Sequence, residues 1–272
     1  MRSASLSVIV ANFNNERYIE ECLDSVIAQT FRPLEVIVCD DGSDDSSPAI
    51  VRRYERAHPG LVKGIFSRVN RGVSQARNEA ILASGGEYIS TLDSDDYYGD
   101  IRKLEKEMDL ILGHRRDSAS DVIAYSNILR VSEDGAPLQL MGRPGNMCEG
   151  RILREMITRA GMIPRDFVVR KSAYLESGGY DPGLRTHEDW DLKIRLAARW
   201  AYYCTNMTGT SYRQRPGGLA SLPLATRTGN MWKVFFKNIH LVAPEEREAV
   251  TAEFTAFMAR RQDGFDRSCL QE

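Results

Sequence analysis

The first hundred residues repeat one unit, a short apolar run followed by a capped amphipathic segment, and that alternation leaves few folds open. Leu6 to Val10 reads as a strand. A helix follows, capped by Asn14 or Asn15, with Tyr18, Ile19, Cys22, Leu23, Val26 and Ile27 on the 3.6-residue period. Leu34 to Cys39 is a second strand, and Ser47-Pro48 opens a helix that carries Ile50, Val51 and Tyr54 inward until Pro59-Gly60 stops it. Val62 to Phe66 is a third strand, Val73 to Ala83 a third helix ended by Gly85-Gly86, and Tyr88 to Leu92 a fourth strand. The pattern predicts an α/β fold with a Rossmann-like parallel sheet covered by helices. In such sheets ligands sit beyond the carboxyl ends of the strands, where Asn12, Asp40-Asp41-Gly42-Ser43 and the Asp93 cluster fall.

The densest acidic run is Leu92-Asp93-Ser94-Asp95-Asp96-Tyr97, directly after the fourth strand. In extended chain, residues two apart point the same way, so Asp93 and Asp95 can grip one divalent cation between them. Three carboxylates within four residues repel one another unless a cation or an arginine compensates. Hard oxygen ligands favour Mg2+ or Mn2+ over zinc, and a metal so held still seeks oxygens, which a diphosphate supplies. The other reading of this run is a helix cap, since Asp100 lies just downstream.

Past residue 100 the rhythm loosens. Asp100 is expected to cap a helix with Ile101, Leu104, Met108 and Ile111 on one side, and Val122 to Ser126 resembles a strand. Ser132 to Gly161 gives no clear signal. Phe167 to Val169 reads as a strand, a short helix ends at Gly178-Gly179, and another opens at His187-Glu188-Asp189. Pro244-Glu245-Glu246 starts a terminal helix with Val250, Phe254, Phe257 and Met258 on one face and Arg260-Arg261 near its end, a charge order that suits the helix dipole.

On the helix after His187, at 100° per residue, Trp190, Leu192, Ile194, Leu196, Ala197 and Trp200 share a broad sector that includes Asp189 and Lys193. Asp191 falls nearly opposite, beside Arg195 and Arg199. It is therefore expected on the solvent face with an arginine partner one turn on. An inward carboxylate in a first helical turn is held ionised by the dipole and poised to take a proton.

Bulk properties narrow the classes. A 272-residue chain with 42% hydrophobic content can bury a large core, and a formal charge of −2 gives no reason to expect nucleic acid as a partner. Cysteines 22, 39, 148, 204 and 269 are scattered and odd in number, which suits free thiols in a reducing compartment. The N-terminus reads as a first strand, not a signal peptide, and no apolar stretch approaches the roughly 18 to 20 residues that cross a bilayer. A cytoplasmic protein is expected, with peripheral contact at the inner membrane face left open.

Six blocks in order carry a resemblance. They are Ser7-Val8-Ile9-Val10-Ala11-Asn12-Phe13-Asn14, Ser25 to Thr30, Val38-Cys39-Asp40-Asp41-Gly42-Ser43, Asn70 to Asn78, Asp93-Ser94-Asp95-Asp96 and Glu188-Asp189-Trp190-Asp191-Leu192. Together they resemble the inverting family 2 glycosyltransferases of GT-A fold over about residues 5 to 217. The resemblance implies sugar transfer from a nucleotide-diphosphate donor, a UDP-sugar above all, with Mn2+ or Mg2+, to a glycan or lipid-linked glycan acceptor. It assigns the base to Asp189, the metal to Asp93 and Asp95 with Asp96 beside them, and nucleobase contact to Asp41, with Asp40 supporting the loop or the ribose. Ala11, Asn12, Asn14, Asn70, Gly72, Arg77, Asp93, Ser94 and Arg215 complete the expected donor site, and Glu188 flanks the base. Gly72 admits close backbone approach, and Arg77 reaches a phosphate or the aspartate cluster; an ordinary helix with a structural ion pair is the other reading of that segment. Taken alone, Asp-Gly-Ser after a strand is a tight turn that caps the next helix. The implied organisation is a glycosyltransferase domain over 1–225, divided into a nucleotide half (1–100) and a mixed acceptor half (101–225), with a helical extension over 226–272.

Arg215 departs from the family pattern, which commonly places histidine there. Arginine cannot ligate a cation but can pair with phosphate, so looser metal dependence is expected. Ala11 and Phe13 replace the usual proline and tyrosine. The rival readings are a catalytically silent relative that binds a nucleotide or a partner protein, and a nucleotidyltransferase; the latter lacks its glycine- and lysine-rich loop near the first strand.

Overall fold

The computed structural model describes residues 4–118, 121–142, 148–160, 166–215 and 223–263. Pro216, Gly217 and Cys269 lie outside them. In chain order the elements are β1 (Leu6–Asn12), α1 (Ile19–Ile27), β2 (Glu35–Asp40), α2 (Ser47–Ala57), β3 (Val62–Phe66), α3 (Val73–Ala83), β4 (Tyr88–Asp93), β5 (Tyr97–Tyr98), α4 (Lys103–Ser118), β6 (Val122–Val131), β7 (Pro137–Met141), α5 (Leu153–Thr158), β8 (Phe167–Arg170), α6 (Lys171–Glu176), α7 (Glu188–Ala197), β9 (Ala201–Arg213), α8 (Leu224–Asn238) and α9 (Arg247–Asp263). All strands join one sheet in the order β3-β2-β1-β4-β8-β6-β9-β5, with β7 paired to β6.

The first four large strands pair in parallel, as their alternation with helices requires. Every residue of β1 and β2 is buried. Strands so covered on both faces read as continuous apolar runs, which made them visible in the sequence. Val8, Val10, Val36 and Val38 face one core with Cys22, Leu23 and Met108, whereas Ile9, Ile37 and Ile89 face the other with Ala80, Trp190 and Phe254. The second half is mixed: β8 runs antiparallel to β4 and β6, while β9 runs parallel to β6.

Several expectations shift. The α1 helix starts at Ile19 with Tyr18 as its cap; the carbonyl of Asn15 accepts from Tyr18 and Ile19, while its side-chain amide donates to Ser94 Oγ at 2.8 Å. Asn14 and Asn15 therefore cap nothing with their side chains, because the chain leaving β1 needs a tight loop first, with Asn14 at φ 52°. The α4 helix starts at Lys103, and Ile101 is exposed, its carbonyl bonded to Thr30. The strand expected to end at Ser126 runs on to Val131, because β9 pairs alongside it. Within the unsignalled stretch lie β7 and α5.

At the C-terminal end, Phe235 of α8 stacks on Phe254 of α9 with ring centres 4.3 Å apart, and Phe254 stacks on Trp190 of α7 at 5.8 Å. Burying rings of this size supplies the apolar gain that fixes α7 against its neighbours. Cys22, Cys39, Cys148 and Cys204 are free thiols. Among the described residues no helix is long and apolar enough to cross a membrane.

Candidate active site

Strand register puts the acidic loops side by side. Asn12 pairs with Asp40 across β1–β2, and Ala11 pairs with Asp93 across β1–β4. With strands about 4.8 Å apart, the two loops leave the same sheet edge within about 10 Å of each other.

At the β2 end Asp40 is buried and holds its own loop. It accepts from Asn12 Nδ2 at 2.6 Å, from Ser43 N at 3.0 Å and from Ser43 Oγ at 2.7 Å. Asn14 closes this corner, its amide donating to Ser43 Oγ and its side chain accepting from Asp44 N. The Asp41 carboxylate accepts from the backbone N–H groups of Arg71 and Gly72, the latter at 2.7 Å, and so draws the loop before α3 over the strand ends. Asn70 Oδ1 supports the same Gly72 amide at 3.1 Å. Gly42 sits beneath that loop at φ +79°, where a Cβ would lie 2.7 Å from the Val69 carbonyl carbon. Only glycine fits this crossing.

At the β4 end, carboxylate oxygens of Asp93, Asp95 and Asp96 lie within 4.8 Å of one another. Positive charge surrounds them. Arg77 on α3, buried, pairs with Asp93 and donates to Glu188 at 2.8 Å, its guanidinium lying over the Tyr180 ring. Arg215 donates from Nε to Asp95 Oδ2 at 2.7 Å. Arg213 offers its backbone amide to Asp96 Oδ1 at 2.9 Å and its Nε to the Asp95 carbonyl at 3.0 Å, while its fork reaches Glu21 and the Glu133 carbonyl. The buried Cys22 thiol behind this loop is pushed well up by burial first and then by the charges of Asp96, Asp95 and Asp93. Ser94 is buried, with its hydroxyl accepting from Asn15, so it shapes the loop from within.

Three oxygen-only donors this close fit Mg2+ or Mn2+ rather than a softer metal. Asp93 and Asp95 would hold such an ion with Asp96 beside them, and it would supply Lewis-acid stabilisation of a leaving diphosphate.

The third acidic group comes from α7. His187 precedes the helix in the left-handed conformation, φ 62°, and turns Glu188, Asp189 and Asp191 into the first turn. Glu188 is raised in pKa by burial and by Asp189, against the pull of Arg77. Asp189, with a side chain 38% exposed, accepts from the buried Lys193 amine at 2.6 Å. Asp189, expected on the inward sector, is instead the open acid of this turn, because the buried Lys193 amine meets it from below and leaves its far side uncovered. Asp191 corrects the helical-wheel reading: its side chain is fully buried, accepting from Arg195 at 2.7 Å, Lys237 at 3.0 Å and Asn238 Nδ2 at 2.7 Å. The arginine partner was expected, but the solvent face is absent, because α8 covers that side of α7. Arg199 pairs instead with Glu176.

Of the expected residues, Asn12, Asn14, Asp40, Asp41, Asn70 and Gly72 gather around the loop before α3, and Asp93, Asp95, Asp96, Arg77, Arg215 and Glu188 around the cluster, with Asp189 next to Glu188 in the first turn of α7. Ala11 contributes backbone register only. Arg213, which organises the metal loop, escaped the sequence reading; its one signal was its place in the Tyr212-to-Gly217 segment. A cavity of about 380 Å³ is lined by Asn14, Asn15, Glu16, Arg17, Tyr18, Asp45, Glu133 and Arg215, the last of which also reaches Asp95.

A Rossmann-like half joined to a mixed half, with acids from three elements at the strand ends, is the GT-A glycosyltransferase architecture. Residues 7–174, more than half of the chain, match the family model for glycosyl transferase family 2, and the chain belongs to that family. Its fold matches S. aureus TarS in complex with UDP, with a TM-score of 0.68 and 21% identity over 97% of this chain and 73% of that one. An uncharacterized Mycobacterium tuberculosis protein is 28% identical over 94% of this chain and 74% of its own length. The chondroitin synthase of Escherichia coli is 28% identical over 71% of this chain, which spans 26% of that synthase.

Proposed function

We propose that this family 2 glycosyltransferase moves a hexosyl or hexosaminyl unit from a UDP-sugar to a hydroxyl of a glycan or lipid-linked glycan, with inversion, in the assembly of a surface polysaccharide on the cytoplasmic side of a membrane. The observation that carries this reading is the buried bridge from Asp93 through Arg77 to Glu188, which ties the diphosphate-side acids to the helix bearing Asp189. UDP bound to TarS, a relative in fold, supports the nucleotide.

In this reading Asp40 and Asn12 fix the strand ends, Asp41 and the Arg71-Gly72 amides form the wall against which the base docks, and Asp93 and Asp95 grip the metal. Asp189 takes the proton from the acceptor hydroxyl as its oxygen attacks the anomeric carbon on the face opposite the diphosphate. Lys193 holds that carboxylate in place through a charge-assisted hydrogen bond. Leaving-group stabilisation and proton removal fall on opposite sides of the sugar, as a single inverting displacement demands.

A panel of nucleotide sugars with Mn2+, scored by thermal shift and then by transfer to glycan acceptors with the anomeric configuration read by NMR, tests the proposal. Stabilisation by one UDP-sugar and an inverted product are expected. Preference for another nucleotide, or retention of configuration, would reject it.

A further inference from the structure

We propose that Arg215 is an internal cation that the divalent metal must displace from Asp95, and that the freed guanidinium then takes hold of the donor's diphosphate; this rests on the metal-dependent reading above. Three arginines neutralise the aspartate cluster, and they differ in freedom. Arg77 is 7% exposed and pinned by Asp93, Glu188 and the Tyr180 ring. Arg213 is 5% exposed and locked to Glu21, the Asp95 and Glu133 carbonyls, and the faces of Tyr18 and Tyr97.

Arg215 is placed differently. It lies two residues beyond the end of β9, outside the strand ladder, with its side chain 25% exposed. It lines a 380 Å³ cavity together with Glu133 and Tyr18, whose ring centre lies 5.7 Å from its guanidinium carbon, so the guanidinium has open space on one side. Its Nε–H is directed at Asp95 Oδ2, one of the carboxylates whose oxygens converge within 4.8 Å. A dication on the same carboxylate would stand on the order of 5 Å from the guanidinium, where like charges repel strongly in a half-dry site. Metal and Arg215 therefore compete for Asp95. A diphosphate offers the planar fork a replacement partner at the same place. Metal alone is then held weakly, and metal with nucleotide tightly.

The test is calorimetric titration of the full-length protein with Mn2+ alone, with no nucleotide present, comparing wild type, Arg215→Gln and Arg215→Lys. Removing the charge is expected to tighten Mn2+ binding roughly fivefold, the worth of a partly exposed ion pair, while the lysine variant stays within about twofold of wild type. With Mn2+ saturating, UDP affinity of Arg215→Gln is expected to fall about tenfold as the phosphate contact is lost. Equal or weaker Mn2+ binding by Arg215→Gln overturns the exchange and leaves the metal-dependent reading standing. No Mn2+ binding by any of the three proteins overturns both.

Discussion

Arg77 and Glu188 lie 2.8 Å apart in the buried interior, although 111 positions separate them in the chain. The contact joins α3 of the nucleotide half to α7 of the other half, and the second fork of the same guanidinium reaches Asp93. Geometry at the Asp93 loop is thereby coupled to geometry at the first turn of α7.

Arg77→Met removes the buried cation that Asp93 and Glu188 share. Breaking one partner of a buried pair costs about 3 kcal/mol. Burial already raises Glu188, and losing Arg77 raises it further, so protonation relieves the defect as pH falls. Urea unfolding is expected to show the full deficit near pH 8 and a smaller one near pH 5.5.

Asp189→Asn keeps the shape of the α7 turn and removes the proton acceptor. Turnover is expected to drop by about 100- to 10,000-fold while calorimetric UDP affinity stays near wild type. Retained turnover would take the base role from Asp189.

Gly42→Ala and Gly72→Ala separate crowding from backbone strain. Both glycines have positive φ, but a Cβ at Gly42 meets the Val69 and Asn70 backbone at 2.7 and 2.9 Å, whereas one at Gly72 meets nothing within 4 Å. The Gly42 variant is expected to lose about 2 kcal/mol or more and to bind UDP weakly, because the loop that Asp41 anchors must lift. The Gly72 variant carries backbone strain alone, about 1 to 3 kcal/mol, because φ 94° with ψ 154° is a conformation essentially confined to glycine. Thermal melts and UDP titrations compare the two.

Glu35 gives a pH signature far from the active site. Burial raises its pKa, but the Lys63 amine, the Gly85 amide and the Ser7 hydroxyl outweigh that and hold it below the usual glutamate range. Its folded pKa therefore lies under the unfolded value of about 4.3. The stability it contributes is complete above that value and is lost as pH falls through the folded pKa. Glu35→Gln is expected to flatten the loss of unfolding free energy below about pH 4.5, measured by urea titration across pH 3 to 6.

The parallel half was legible because β1 and β2 are buried on both faces and read as unbroken apolar runs. Chemistry also forced β3 and α3, which run over the expected residues, Val62–Phe66 and Val73–Ala83. The β9 strand was hidden. Its thirteen residues mix Thr, Asn, Ser and Gly with apolar groups, and its parallel partner β6 lies some eighty positions earlier, so no local pattern marks it. With β9 unseen, the arginine clamp at its end was unseen too. The α7 wheel inverted its two acids, Asp189 being exposed and Asp191 buried, because periodicity shows where apolar residues cluster, not whether a later helix covers the remaining side. The six ordered blocks, rather than any one spacing, singled out Asp41, Asp95 and Asp189, which the fold places at the end of β2, after β4 and in the first turn of α7.

The family match ends at residue 174, yet Arg213 and Arg215, which grip the Asp95-Asp96 loop, arrive some forty residues later, at the end of β9 and two residues past it. A fragment trimmed to the matched segment would keep the strand ends and lose the hands that hold their acids in order. Order in the aspartate loop is therefore finished by β9, and the first four strands excised on their own are an anvil without its vice.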